Sequence, residues 1–241
     1  MANTESIHNV DAATMNFVHE WMSHADASHD SQHVLRVFNL AMKILDAERQ
    51  AHPERKYDEN VVSYAAVLHD IGDSKYFSEI KRKTSKEPEH KLHTLLKRYG
   101  LESTCSYKVV FDWLTNCGIE EQIAAQVQNI CDCVSYSYEQ DYPDIVQSTL
   151  EFHPELAIVQ DADRLDAIGA IGIGRTFTYT GAKRREGGME GTLQHFYDKL
   201  LNIQNMMKTE TGRRMAWERT ERMKTFLRWW KEEDPASFIQ E

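Results

Sequence analysis

Apolar residues that return every three or four positions decide most of what this chain can become. Val34, Leu35, Val37, Phe38, Ala41, Met42 and Leu45 follow that spacing, which predicts an amphipathic helix over roughly 31–48. A second apolar stretch runs from Val61 to Leu68 and stops at His69-Asp70-Ile71-Gly72, where the glycine suits a helix end. Further helices are expected over 89–99, 119–134, 156–168, 192–207 and 211–231. In the last of these, Met215, Met223, Phe226, Leu227 and Trp230 make the apolar face, and Glu218 to Arg222 is a favourable pair one turn apart. Asn116-Cys117-Gly118 marks a turn. Polar, Lys-rich residues 73–90, the stretch 138–147 around Pro143, and the Gly-rich stretch 181–190 read as loops. No alternating strand pattern of useful length occurs. The expectation is an all-α chain: one helical bundle over 16–232 with additional C-terminal helices, a leading segment 1–15 and a tail 233–241.

Composition narrows the partners. With 41% apolar residues the chain can bury a substantial core. A net charge of -10 gives no general attraction to nucleic acid or to an anionic membrane. No apolar run approaches the ~20 residues that span a bilayer. The start, MANTESIHNVDAATMNF, has neither the basic stretch nor the apolar core of a signal peptide. Four cysteines (Cys105, Cys117, Cys131, Cys133) are too few for a disulfide framework. Cys131-x-Cys133 lacks a second pair at zinc-site spacing. The thiols are therefore expected reduced and mostly buried, in the cytosol, with nuclear access open.

His-Asp occurs twice, at His29-Asp30 and His69-Asp70. The second pair sits where a buried helix runs out, so its side chains reach an interior cavity, where polar groups must be paired or bind a metal. The first leads into His33 and Arg36, which share one helix face. Far downstream, Asp161-Ala162-Asp163-Arg164-Leu165-Asp166 puts three carboxylates into an apolar segment, at a cost unless they are compensated.

Taken in order, His-x-x-Arg-Val, Leu-His-Asp-Ile-Gly-Asp and Asp-Ala-Asp-Arg-Leu-Asp resemble the HD superfamily of metal-dependent phosphohydrolases. Val134-Ser135-Tyr136-Ser137, the run from Ala170 to Phe177 and the run from His195 to Leu201 resemble a small stand-alone branch, some of whose members are nucleotide pyrophosphohydrolases. The resemblance covers roughly residues 15–230. It implies that His33, His69, Asp70 and Asp163 hold one divalent metal. Asp161 and Asp166 compete for the last role, and Asp163 is preferred for its Ala-Asp-Arg-Leu context. Two imidazoles and two carboxylates suit Mn²⁺ or Mg²⁺, with Fe²⁺, Co²⁺ and Ni²⁺ as alternatives. His90, His93 and His153 include no adjacent His pair of the two-metal kind.

The same resemblance implies hydrolysis of a nucleotide or related phosphate compound. Cyclic-nucleotide or alarmone hydrolysis, and a non-enzymatic metal-stabilised ligand binder, are the alternatives. Asp73, three residues after Asp70, stands where related nucleotidases carry the acid that takes the water's proton; a cap on the turn after Gly72 is the competing role. His29, with Asp30, is a candidate to protonate the leaving group or to orient ligands, and helix capping is the alternative. Lys75, Arg175 and Lys199 are candidate phosphate contacts, each set against a solvated or ion-paired role. Arg36 is expected on a buried carboxylate. Lys183-Arg184-Arg185 reads as a solvated loop or as a cover over a triphosphate. Gly169, Gly172 and Gly174 do not match a dinucleotide fingerprint and are expected to pack closely. Tyr136, Phe177, Tyr179 and Phe196 are core residues or a stacking surface for a base. Of Trp229-Trp230, one should pack inward and the other lie on the surface or in a homodimer contact.

Overall fold

The computed structural model describes residues 10–22, 31–71, 91–101, 105–183 and 188–235. Every regular element among them is helical. The chain opens with α1 (Ala12–Met22), α2 (Ser31–Ala51) and α3 (Glu59–Leu68). It continues through α4 (Lys91–Arg98), α5 (Val109–Asn116), α6 (Glu121–Val134), α7 (Tyr136–Asp141) and α8 (Pro143–Phe152). The last four are α9 (Glu155–Asp166), α10 (Gly169–Lys183), α11 (Gly188–Asp198) and α12 (Glu210–Glu233), with a 3₁₀ stretch Leu200–Met206 before α12.

Helix α3 explains the centre of the fold. Val61, Val62, Tyr64, Ala65, Ala66, Val67 and Leu68 are all buried, so this helix is apolar on every side and needs neighbours all round. It packs against α2, α6 and α9, and α9 also lies along α2. Asp58 caps its start, accepting from the backbone N–H of Asn60 and of Val61. Its other end delivers His69 and Asp70 to the middle of the bundle. At the C-terminal side, α12 lies along α10 and also touches α2 and α9. Glu48 of α2, fully buried, ties these layers by accepting from the backbone N–H of Thr211 at the start of α12. Phe177, Phe196, Phe226 and Trp230 form one aromatic cluster, with ring centroids 5.7 to 6.2 Å apart. Phe177 and Phe196 therefore pack on core partners. Trp229 is 59% exposed while its neighbour Trp230 packs inward.

Two expected loops are largely helical. The stretch 138–147 holds the end of α7 and the start of α8, broken only at Tyr142. Pro143 begins α8 as its first residue, where its missing N–H costs nothing and its fixed φ favours the helix. In 181–190, α10 runs on to Lys183 and α11 begins at Gly188, whose φ of +56° turns the chain; residues 184–187 lie outside the described residues. Gly169, at φ +75°, opens α10 three residues after the end of α9, and a Cβ on Gly172 would overlap the Ala167 carbonyl. Gly174, by contrast, faces open space. Cys131 and Cys133 are buried and Cys117 is exposed, all as free thiols. Among the described residues no helix is long and apolar enough to cross a membrane.

Candidate metal centre

Three helices bring the candidate ligands together. His33 lies in the first turn of α2, His69 and Asp70 follow the end of α3, and Asp163 stands in the third turn of α9. His33 Nε2 is 3.3 Å from His69 Nε2, 3.5 Å from Asp70 Oδ2 and 3.4 Å from Asp163 Oδ1. His69 Nε2 is 3.4 Å from Asp70 Oδ2 and 3.7 Å from Asp163 Oδ1. Both histidines are buried, whereas the Asp163 side chain keeps 27% of its surface, so the cluster opens to solvent on the Asp163 side.

The other nitrogen of each imidazole is already engaged. His33 Nδ1 lies 2.7 Å from Asp166 Oδ2, and His69 Nδ1 lies 2.9 Å from the Ala66 carbonyl of its own helix. Neither partner has a hydrogen to give, so both Nδ1 atoms donate. In the neutral rings, both Nε2 atoms are then left as lone pairs. The two lone pairs, 3.3 Å apart and each 3.4 to 3.7 Å from an Asp70 and an Asp163 oxygen, repel one another and those oxygens unless a cation joins them. The electrostatic surroundings of His33 point the same way. Burial alone would lower the His33 pKa, but Asp163, Asp166 and Asp70 outweigh it and raise it well above 6.5. The donor set fits a divalent ion: His33, His69 and Asp163 each present one ligand atom within 4.8 Å of the others, and Asp70 stands beside them.

The three aspartates of α9 have separate tasks. Asp161, fully buried, accepts from the backbone N–H of Lys208 and Thr209 and from the Thr209 hydroxyl, at 2.7 to 2.8 Å. It fastens α9 to the start of α12. Asp166, 1% exposed, accepts from His33, from Arg36 Nε at 2.7 Å and Nη2 at 3.1 Å, and from Arg175 Nη1 at 2.9 Å. Burial opposes its ionisation, yet the hydrogen bonds from His33 and Arg36, with the charges of His33 and Arg175, hold its carboxyl well below the usual range. Asp163 alone of the three reaches both Nε2 atoms.

Arg36 thus sits on a buried carboxylate, as its spacing suggests. Arg175, expected at phosphate, is on that same carboxylate, one oxygen away from His33. The ammonium of Lys199 lies 4.3 Å from the centre of the Tyr136 ring. Asp73, His29 and Lys75 lie outside the described residues, as do His90 and Arg184-Arg185. The sequence reading missed the role of Asp166 and a second, partly buried group, in which Arg164 pairs with Glu139, Lys208 Nζ reaches Glu139 at 2.7 Å, and both cations bond the Met206 carbonyl. A signal for Asp166 was present: His33/Arg36 and Asp163/Asp166 are both spaced by three, so two facing helices can pair them in register.

Known proteins resemble this chain in sequence and fold. The HD domain model matches residues 30–168, more than half of the chain. The chain is 32% identical to Bacillus subtilis YpgQ over 214 residues, covering 88% of this chain and 87% of that protein. The crystal structure of YpgQ in complex with ADP aligns with a TM-score of 0.63 at 28% identity, covering 93% of this chain and 95% of YpgQ. The crystal structure of an HD-superfamily hydrolase from Bacillus thuringiensis aligns with a TM-score of 0.61 at 28% identity, covering 93% and 96%. HD domains bind divalent metals, and the buried His/Asp cluster lies within the matched residues. The chain belongs to the HD-domain superfamily, the fold of metal-dependent phosphohydrolases.

Proposed function

We propose that this protein hydrolyses a nucleotide, as a pyrophosphohydrolase or nucleotidase, at a single divalent metal held by His33, His69, Asp70 and Asp163. The observation that carries this reading is the convergence of two imidazole lone pairs and two carboxylates on one partly open position. A divalent cation bound there, Mn²⁺ or Mg²⁺ by donor type, supplies a water of lowered pKa and positive charge for a phosphoryl oxygen.

The chain's own residues account for the rest. Asp70 and Asp163 bring two negative charges that match a divalent ion, so the loaded site does not repel a phosphate. Arg36 and Arg175 both bond the carboxylate of Asp166, which places two guanidiniums next to the site. That local charge offsets a chain carrying -10 overall. Arg175, Lys199 and Lys75 are the proposed phosphate contacts. Asp73 takes the proton of the attacking water, and His29 serves the leaving group. Support for a nucleotide comes from YpgQ, whose structure was solved with ADP. The substrate is a small molecule in this reading, and neither nucleic acid nor membrane is a partner.

The test is a metal-supplemented substrate screen. Purified protein with Mn²⁺ is incubated with a panel of nucleotides and deoxynucleotides, and phosphate, pyrophosphate and nucleoside products are identified. Turnover of at least one member is expected. No release from any of them by metal-loaded protein removes the nucleotide claim.

A further inference from the structure

We propose that Asp166 is the positioning residue for His33: it fixes which ring nitrogen carries the hydrogen and aims Nε2 at the metal position. The inference rests on the metal reading given above and goes beyond it, because Asp166 is itself no ligand. Its carboxylate accepts from His33 Nδ1 at 2.7 Å, so the hydrogen in that bond belongs to the imidazole and Nε2 is the donor atom. His69 is held differently. Its Nδ1 bonds a neutral backbone carbonyl, that of Ala66. One imidazole therefore has an anionic partner and the other a neutral one, which makes His33 the stronger donor of the two.

The carboxylate is itself immobilised. Arg36 forks across both oxygens, with Nε on Oδ1 and Nη2 on Oδ2, while Arg175 adds a third contact to Oδ2. These partners come from α2 and α10, so the buried oxygen that orients His33 is set by three helices at once. Arg219 completes the surroundings: it bonds the Leu165 carbonyl, and its side chain packs against Gly169, just beyond Asp166. Rotation of Asp166 away from His33 would break bonds to both arginines, so the ring of His33 is held whether or not a cation is present.

The experiment compares metal-stripped, full-length wild type with Asp166→Asn by titration calorimetry with Mn²⁺. Asparagine keeps the size and one acceptor oxygen but loses the charge. The expected result is Mn²⁺ affinity weakened by about 10–100-fold. Wild-type protein that binds Mn²⁺ while Asp166→Asn binds it equally well overturns the positioning role alone. Wild type that binds no Mn²⁺ overturns the metal reading and this inference with it. Because Asp166 ties three helices, the variant can fail to fold, and a measurement on wild type decides the matter in that case. Long-range ¹H–¹⁵N spectra of Zn²⁺-loaded protein, with His33 assigned by comparison with His33→Asn, should show the hydrogen on Nδ1 and the metal on Nε2. The opposite arrangement overturns the proposal.

Discussion

His33 Nε2 and His69 Nε2 face each other across 3.3 Å, each with its Nδ1 hydrogen already given to another acceptor. Two such lone pairs are held together at a cost that a shared cation removes. Mn²⁺ at a hundredfold excess over its dissociation constant should therefore stabilise the fold by about 2.7 kcal/mol. That corresponds to a rise in melting temperature of about 5–10 °C for a chain of this size. Asp70→Ala should lose the rise and the bound metal while keeping its far-UV circular dichroism. Equal metal content in variant and wild type contradicts the ligand assignment.

The sequence made the frame of this site readable, for a physical reason. Helical period places residues on faces, so Val34 to Leu45 gave α2 and the apolar run before His69 gave α3. Period does not choose partners. Asp161, Asp163 and Asp166 lie on one short helix, and their different tasks depend on what α2, α10 and the start of α12 bring to each. Their spacing separates the faces, since Asp161 and Asp163 point roughly 200° apart around the helix. Only tertiary packing puts Thr209 against one and the histidines against the other. Pro143 shows the converse: the stretch around it reads as a loop, yet it starts a helix, because the effect of a proline depends on its position within the element.

The clip at Asp161 leads to a stability prediction. Gly212 lies in the first turn of α12, and a Cβ there would overlap the Asp161 carboxylate and crowd the Thr209 hydroxyl. Thr209 both donates to Asp161 and accepts from the backbone N–H of Gly212, so neither group can yield without breaking a cap. Gly212→Ala, normally favourable inside a helix, should here destabilise by about 2–3 kcal/mol through overpacking. Thermal denaturation should show a drop of about 4–12 °C. An unchanged or raised melting temperature contradicts the clip.

Asp132 sets a pH dependence. Burial pushes its carboxyl from 3.8 up to about 6, against the lowering effect of the hydrogen bond from Gln128. The folded chain thus holds this proton more tightly than the unfolded chain does. Stability is lost as pH rises between roughly 4 and 6, and the loss is complete above that window. Asp132→Asn keeps an acceptor for Gln128 and carries no charge. Relative to wild type it should be neutral near pH 4 and more stable above pH 6, by at most about 3 kcal/mol. Denaturant unfolding of both proteins across that range measures the difference. A difference independent of pH, or one largest in acid, contradicts the assignment.

Asp73 offers a test that separates chemistry from binding. In the proposed role, as the base that takes the proton of the attacking water, it would act on the rate and have no place in holding the ion. Asp73→Asn should then lower kcat by about 10²–10⁴-fold on whichever nucleotide the protein turns over. Mn²⁺ affinity should stay near that of wild type, unlike the effect of replacing Asp70 or Asp163. A turn cap predicts the reverse pattern: near-normal turnover with about 1 kcal/mol of lost stability. Steady-state kinetics and calorimetry on the same preparation distinguish the two. A variant with wild-type kcat assigns Asp73 to the turn and leaves the proton to another acceptor.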